Sequence, residues 1–118
     1  MNKLITFFTV IFISFGTQAL PIKAYEEIFK NDSDPLTKTA YSSYRRGIVD
    51  TVFTINNRSG QKKLFCGDIE FKKLIDVKEF NRMIDSAISK FKLINLYNEN
   101  LDITEFFLFT LGSENPCK

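Results

Sequence analysis

Asp76 to Phe91, with the sequence DVKEFNRMIDSAISKF, is the stretch that decides the fold of this chain. Its apolar residues recur at steps of three and four, which places them on one face of an amphipathic helix. The predicted core face consists of Val77, Phe80, Ile84, Ala87, Ile88 and Phe91. Asp76 is positioned to cap this helix, with Glu79 three residues later as its capping-box partner.

A second amphipathic helix is predicted upstream, from Pro35 to about Ile55. Asp34 followed by Pro35 is typical of an N-cap and a first helical residue. Apolar or small residues again recur at steps of three and four: Leu36, Ala40, Tyr44, Gly47, Ile48, Thr51, Val52 and Ile55. A glycine within a helix costs up to about 1 kcal/mol relative to alanine. Either a close helix–helix approach or plain tolerance accounts for Gly47.

A third helix is predicted from Asn100 or Asp102 to about Leu111, with Gly112 as its C-cap. Its predicted inner stripe consists of Ile103, Phe106, Phe107, Thr110 and Leu111. Leu108 and Phe109 lie outside that stripe, so the helix is apolar around most of its circumference. Such a helix is expected either at the centre of the core or in a protein interface, including that of a homodimer.

Two shorter stretches leave room for additional short elements. Residues 24–30 fit a short helix or an ordered arm, and residues 64–75 fit a short helix or an extended segment. No hairpin signal is present. The predicted fold is therefore all-α, a small helical bundle of three main helices plus one or two short helices. We expect a single domain over residues 20–118, in which residues 20–34 are either part of the helical fold or an N-terminal arm.

The N-terminus has the three-part layout of a secretory signal peptide. Asn2 and Lys3 form a short basic start, Leu4 to Phe15 is an apolar run of twelve residues, and Thr17 and Ala19 supply small residues before the expected cleavage point. The run is shorter than the roughly 20 residues that a membrane-spanning helix needs. Residues 1–19 are therefore expected to be removed, and the mature chain is expected in the periplasm without membrane attachment.

The chain has two cysteines, Cys66 and Cys117. In an exported protein these residues are expected to form a disulfide with each other. Closing a loop of about fifty residues would stabilise the fold by roughly 4 kcal/mol in the chain-entropy model. A reactive thiol is the alternative, but the sequence offers neither a Cys-x-x-C spacing nor a histidine to activate one.

The sequence argues against an enzyme. It contains no histidine, which removes the usual base for a serine or cysteine nucleophile and the commonest metal ligand. The motifs G-x-S-x-G, Walker A, H-E-x-x-H and the EF-hand loop are also missing from it. The close carboxylate pairs Glu26/Glu27 and Asp68/Glu70 are expected to be solvated surface. We therefore predict no catalytic residue, no cofactor and no metal site.

The charge balance argues against nucleic acid as a partner. Without Lys3, the 16 basic residues become 15, against 14 acidic ones, so the mature net charge is 15 − 14 = +1. A nearly neutral chain has no general attraction to polyphosphate.

Ser43 to Asp50, SYRRGIVD, resembles a helix motif of the Rap/Tai-type immunity proteins, Gly-Tyr-hydrophobic-x-Gly-hydrophobic-x-Asp/Ala. These are small exported helical proteins that protect bacteria from amidase effectors of type VI secretion systems. In that pattern a cysteine follows, then a helix of Val, Ile and Leu residues, and last an Ala/Leu-rich helix and a terminal Phe/Trp-Pro-Cys. Phe65-Cys66, the helix from Asp76 to Phe91, and Asn115-Pro116-Cys117 occupy those places. The similarity covers roughly residues 40–118.

The chain departs from this family pattern at several positions. Ser43 replaces its first glycine, and Tyr41 stands about where the family often has a further cysteine. The residues from Asp76 to Glu79 replace a T-x-x-Q helix start and lie a few residues further from the cysteine.

The resemblance implies a protein that binds a peptidoglycan amidase, covers its active-site groove and performs no chemistry itself. A rigid scaffold with a projecting loop is sufficient for this, because preorganisation lowers the cost of binding. The predicted contact surface is the polar loop from Asn56 to Lys63, with an ordinary solvent-exposed loop as the alternative. Its candidate partner-binding residues are Asn56, Asn57, Arg58, Gln61 and Lys62.

A second functional hypothesis is a periplasmic acid-stress chaperone that resembles the small helical Hde-type proteins. Those proteins also carry one disulfide, and they expose apolar surface when acid dissociates them. The phenylalanine-rich last helix would suit that role.

Overall fold

The computed structural model of the chain describes residues 20–31, 33–58, 60 and 62–118. The predicted signal peptide, residues 1–19, lies outside these described residues.

Helices make up the regular structure of the described residues. In chain order they are α1 (Ile22–Ala24), which continues directly into a π-helical turn, π1 (Tyr25–Phe29), then α2 (Pro35–Asn56), α3 (Phe71–Leu74), α4 (Val77–Leu93) and α5 (Ile103–Glu114). Over the same residues, extended pairing is limited to one antiparallel bridge between Pro21 and Asp102. The predicted all-α fold of three main helices plus short ones is confirmed.

Each of the three long helices begins at an aspartate whose carboxylate accepts a hydrogen bond from a first-turn backbone N–H. These bonds join Asp34 to Thr37 at 3.3 Å, Asp76 to Glu79 at 3.2 Å, and Asp102 to Thr104 at 2.8 Å. They satisfy amides that have no partner within the helix. The predicted helix starts are therefore confirmed. The predicted capping box at Asp76 is wrong in its second half, because Asp76 N donates to Lys73 O and the Glu79 carboxylate contacts Arg82 instead.

Helices α4 and α5 form the centre of the core. The rings of Phe80 and Phe107 stack with centroids 5.0 Å apart, and the rings of Phe91 and Phe106 lie 4.7 Å apart. The buried hydroxyl of Thr110 donates a hydrogen bond to a backbone carbonyl of α4 at 2.6 Å. Ring packing and a satisfied polar group thus join the two helices along their length.

The predicted inner stripe of α5 is confirmed, because Ile103, Phe106, Phe107, Thr110 and Leu111 are all buried. Leu108 and Phe109, on the other side of the helix, are half-buried and also pack against the core. Of the two predicted positions for this helix, the structure places it at the centre of the core.

The N-terminal segment is an integral part of the core. Ile22 and Tyr25 are fully buried. The backbone N–H of Ile22 donates to Leu101 O at 2.7 Å, and the carbonyl of Leu20 accepts from Ile103 N at 2.8 Å. The segment is therefore a short helix fixed against the start of α5, and the description as an arm understates its packing.

The predicted core stripe of helix α2 is confirmed only in part. Its buried residues are Tyr41, Ile48, Val49, Val52 and Asn56, so Ile48 and Val52 were predicted, whereas Leu36, the first residue of the predicted stripe, is 80% exposed. The prediction was wrong at Gly47 and Thr51, because it counted small residues as core positions and both are exposed. Gly47 is exposed, and nothing lies within 4 Å of where its Cβ would be, so plain tolerance accounts for it.

The predicted C-cap at Gly112 is also wrong, since α5 continues through it to Glu114. The side chain of Asn115 donates to Leu111 O at 3.0 Å, and its own carbonyl accepts from Cys66 N at 2.9 Å. The last turn is thus closed by Asn115, which is held by the neighbouring loop.

None of the helices described is both long enough and apolar enough to cross a bilayer.

Candidate functional site

The predicted disulfide between Cys66 and Cys117 is confirmed. The two Cα atoms lie 5.0 Å apart, and the bond joins residues 51 positions apart in the sequence. It fixes the C-terminal tail to the segment that precedes α3. Two distant parts of the chain are therefore joined beside the loop that follows α2.

Asn56, the last residue of α2, holds the far end of that loop. Its side-chain oxygen accepts hydrogen bonds from Leu64 N at 2.6 Å and Phe65 N at 3.1 Å. Its side-chain nitrogen donates to Phe65 O at 3.1 Å. Asn56 is only 6% exposed, so these bonds form where water does not compete. One amide thus brings the two ends of the loop together.

Phe65 anchors the same end of the loop by packing. It is buried, and its ring meets the edge of Phe53 on α2 with centroids 5.4 Å apart. The ring centroid of Phe53 in turn lies 5.8 Å from that of Phe71 on α3. The hydrogen bonds of the Asn56 side chain form what we call the amide clamp. The amide clamp, this aromatic contact and the disulfide all hold the same three consecutive residues, Leu64 to Cys66.

Between these anchors lies a basic loop, residues 57–64. Arg58, Lys62 and Lys63 are exposed on it, and Leu64 is 40% exposed. Gly60 has φ 80°, a left-handed conformation that glycine adopts without strain. The sequence has no aspartate or glutamate anywhere from Thr51 to Gly67. The loop therefore presents three positive charges beside a partly exposed leucine.

The five predicted partner-binding residues are not equivalent in the structure. Asn57, Arg58 and Lys62 are exposed on the basic loop. Asn56 faces inward and supports the loop, so it does not belong to an exposed contact surface. Gln61 lies outside the described residues. The supporting role of Asn56 went unpredicted, because its hydrogen-bond partners Leu64 and Phe65 lie eight and nine positions further along the chain.

A groove of about 420 Å³ lies between α3, α4 and α5, and its charged groups largely pair with one another. Arg82 on α4 makes two hydrogen bonds to the Glu114 carboxylate, at 2.8 and 2.9 Å, and also contacts Glu79. The hydrogen bonds from Arg82 hold the pKa of Glu114 below its usual value. Asp68 and Glu70 also line the groove, and both are exposed as predicted.

The buried tyrosines are structural. Burial, together with a hydrogen bond to Asp85 at 2.9 Å, raises the pKa of Tyr25 far above its ordinary value. Burial likewise raises the pKa of Tyr41, whose hydroxyl donates to the Asn81 side chain. Both hydroxyls therefore stay protonated at neutral pH and serve as hydrogen-bond donors that join the N-terminal part of the molecule to α4.

Arg45, in the stretch that resembles the immunity family, is also used internally. Its guanidinium lies 4.7 Å from the centre of the Tyr41 ring, and its Nε donates to Ile75 O at 3.0 Å. Partial burial lowers the pKa of Arg45. This arginine therefore links α2 to the segment before α4, and its neighbour Arg46 is the exposed one.

A second exposed surface is the apolar turn, residues 93–96, where α4 ends. Leu93 is 84% exposed, Ile94 56% and Leu96 59%. Asn95 between them has φ 58°, which reverses the chain.

In the part of the chain that the structure describes, no group of three or more potential metal-ligating side chains is found.

Comparison of the chain with models of protein families, with curated proteins and with solved structures gave no match.

Proposed function

We propose that this protein is an exported immunity protein of the periplasm that binds and neutralises a peptidoglycan amidase delivered by a type VI secretion system. The order of its features supports this reading. The SYRRG stretch lies on α2, Cys66 follows it, then come α4 and α5, and after them the Pro116-Cys117 pair, whose cysteine is bonded to Cys66. This is the order in the Rap/Tai-type proteins that the sequence resembles.

The observation that carries the proposal is the construction of the basic loop. Arg58, Lys62 and Lys63 are exposed on it, while the side chain of Asn56, the ring of Phe65 and the disulfide fix its base. A loop whose two ends are already fixed loses less conformational entropy when it enters an enzyme groove, and this favours tight inhibition. Such an inhibitor needs no catalytic group of its own.

The test is capture and inhibition. The oxidised mature chain is used as bait against secreted proteins at neutral pH, with the reduced and unfolded chain as the control bait. We expect one stoichiometric partner that hydrolyses peptidoglycan and whose activity disappears on binding. Capture of no cell-wall hydrolase, or of one that stays fully active in the complex, would contradict the proposal.

An acid-stress chaperone is the second candidate, and the exposed apolar turn is the observation that favours it. The phenylalanine-rich helix offers less support, because Phe106 and Phe107 of α5 are fully buried. A chaperone would suppress aggregation of many unrelated proteins at low pH, in proportion to its concentration. A variant with Leu93, Ile94 and Leu96 changed to serine would then lose that activity, and an unchanged variant would exclude the apolar turn as the client site.

A further inference from the structure

We infer that the basic loop, residues 57–64, docks onto an acidic surface of the partner protein, with Leu64 as the apolar contact beside the charges. This inference rests on the proposed function and specifies the chemistry of the partner's surface.

The basic loop carries a net positive charge that the rest of the chain does not. The mature chain is expected to have a net charge of +1, and Arg58, Lys62 and Lys63 contribute +3, so the remainder carries 1 − 3 = −2. A patch of this kind attracts and orients a partner of opposite sign, which raises the association rate and fixes the register of docking.

These three cations have no carboxylate partner among the described residues. The ion pairs found there use other basic residues: Lys23, Lys30, Lys73 and Arg82. An arginine or lysine already paired within its own chain must give up that contact before it can bind elsewhere. The loop cations are exposed to water and available, so a carboxylate of the partner would be their first ionic contact.

The position of Leu64 is fixed by its backbone. Its N–H is bonded to the buried Asn56 side chain at 2.6 Å, and its carbonyl lies 3.5 Å from the position that a Cβ on Gly112 would occupy. Its side chain is nevertheless 40% exposed. A rigidly held apolar group flanked by cations matches the arrangement of protein interfaces, where an apolar centre is surrounded by a charged rim.

A protein surface fits these features better than a phosphate polymer or an anionic membrane. Three cations would neutralise few phosphates, whereas nucleic-acid affinity grows with the number of contacts. The net negative remainder of the chain would oppose a long polyanion. Binding to an anionic membrane surface is typical of clusters of about four to eight basic residues, more than this loop provides.

The experiment compares two triple variants that change the net charge equally. The test variant is Arg58→Glu, Lys62→Glu and Lys63→Glu. The control variant is Lys38→Glu, Lys72→Glu and Lys78→Glu, at exposed lysines outside the loop that are not used in the ion pairs of the described residues. Binding to the captured amidase is measured by calorimetry, after circular dichroism has shown that both variants are folded.

We expect the test variant to bind the amidase at least about 100-fold more weakly and the control less than about 3-fold more weakly. Leu64→Ala should weaken binding about 10-fold. Raising the salt from about 50 to about 300 mM should weaken the wild type more than the test variant, because exposed charge pairs are screened.

The possible failures are distinguishable. A wild-type chain that captures no amidase overturns the proposed function and this inference with it. A wild type that inhibits its amidase while the two triple variants bind equally well overturns the inference alone. The inference also fails if a single-stranded oligonucleotide or phosphatidylglycerol vesicles bind the wild type more tightly than the amidase does, since the loop would then be a phosphate-binding surface.

Discussion

Helices α4 and α5 are joined by packed aromatic rings, whereas the far end of the basic loop is held against α2 by one buried amide and one ring and to the C-terminal tail by a disulfide. Phe80 and Phe107, both fully buried, represent the first region. Asn56 represents the second, with three hydrogen bonds from a single side chain. Burial of apolar area is non-directional and supplies stability, while hydrogen bonds are directional and fix position. The fold therefore depends mainly on the α4–α5 pair, and the geometry of the candidate site depends mainly on the loop anchors.

The largest expected effect is the loss of stability when a core phenylalanine is truncated, and this loss should differ between the two regions. Phe107→Ala should lower the free energy of unfolding by about 4–5 kcal/mol, because it leaves a cavity in the fully buried centre. Phe53→Ala is the matched control on α2. Its side chain is only half-buried, so the loss of unfolding free energy should be about half as large. Urea denaturation measures both. Equal losses would show that α2 contributes as much to the core as α5 does.

Removing the disulfide should have the next largest effect. The double variant Cys66→Ser and Cys117→Ser should lose about 4 kcal/mol, the value expected when a closed loop of this length is opened in the unfolded state. Urea denaturation under identical conditions gives the difference. Hydrogen exchange should also become faster at the backbone amide of residue 66, which donates to the carbonyl of Asn115 in the tail. Unchanged exchange there would mean that the amide clamp alone fixes the loop.

Two neighbouring asparagines test the clamp itself. Asn56→Ala should cost about 2–3 kcal/mol, because it leaves the N–H groups of Leu64 and Phe65 without their partner. Asn57→Ala, at an exposed position, should stay within about 0.5 kcal/mol of the wild type. Thermal and urea unfolding measure both variants. A small loss for Asn56→Ala would mean that the loop does not depend on this side chain.

The smallest expected effect concerns the exposed pair of Arg82 and Glu114, whose side chains are 49% and 39% exposed. Glu114→Gln should cost less than about 1 kcal/mol at neutral pH, since solvent screens the pair. The pKa of Glu114 is lowered in the folded state. Its contribution is therefore complete above the unfolded pKa and is lost as the pH falls through the folded pKa.

Unfolding measured from pH 7 down to about pH 2 checks this sign. The stability difference between wild type and Glu114→Gln should shrink towards zero at the acidic end. A difference that stays constant, or grows, as the pH falls would contradict the assigned pairing.

Local signals predicted the helices well. The aspartates at positions 34, 76 and 102 are helix caps in the structure, because the bond from an N-cap carboxylate to a first-turn amide needs only neighbouring residues. The stripe of α5 was also predictable, since Ile103, Phe106, Phe107, Thr110 and Leu111 recur at steps of three and four. The face of α2 was predictable only in part, because its small residues carry no clear preference: Ile48 and Val52 were predicted, whereas the burial of Tyr41 depends on its contact with Phe80.

The candidate site was predictable only in part. A polar loop from Asn56 to Lys63 was evident from composition, and Arg58 and Lys62 are exposed on it. The burial of Asn56 was not evident. It depends on the return of Leu64 and Phe65 to the end of α2, which joins residues eight and nine positions apart through a side chain.

The sequence by itself determined the all-α class, the starts of the long helices and the pairing of the two cysteines, since capping, periodicity and cysteine count are properties of short stretches or simple composition. Only the tertiary structure decided which face of α2 is buried, that α5 is the central helix, and that the N-terminal segment packs into the core. It also decided which loop residues remain exposed. These outcomes depend on contacts between residues far apart in the chain, whose geometry no local pattern specifies.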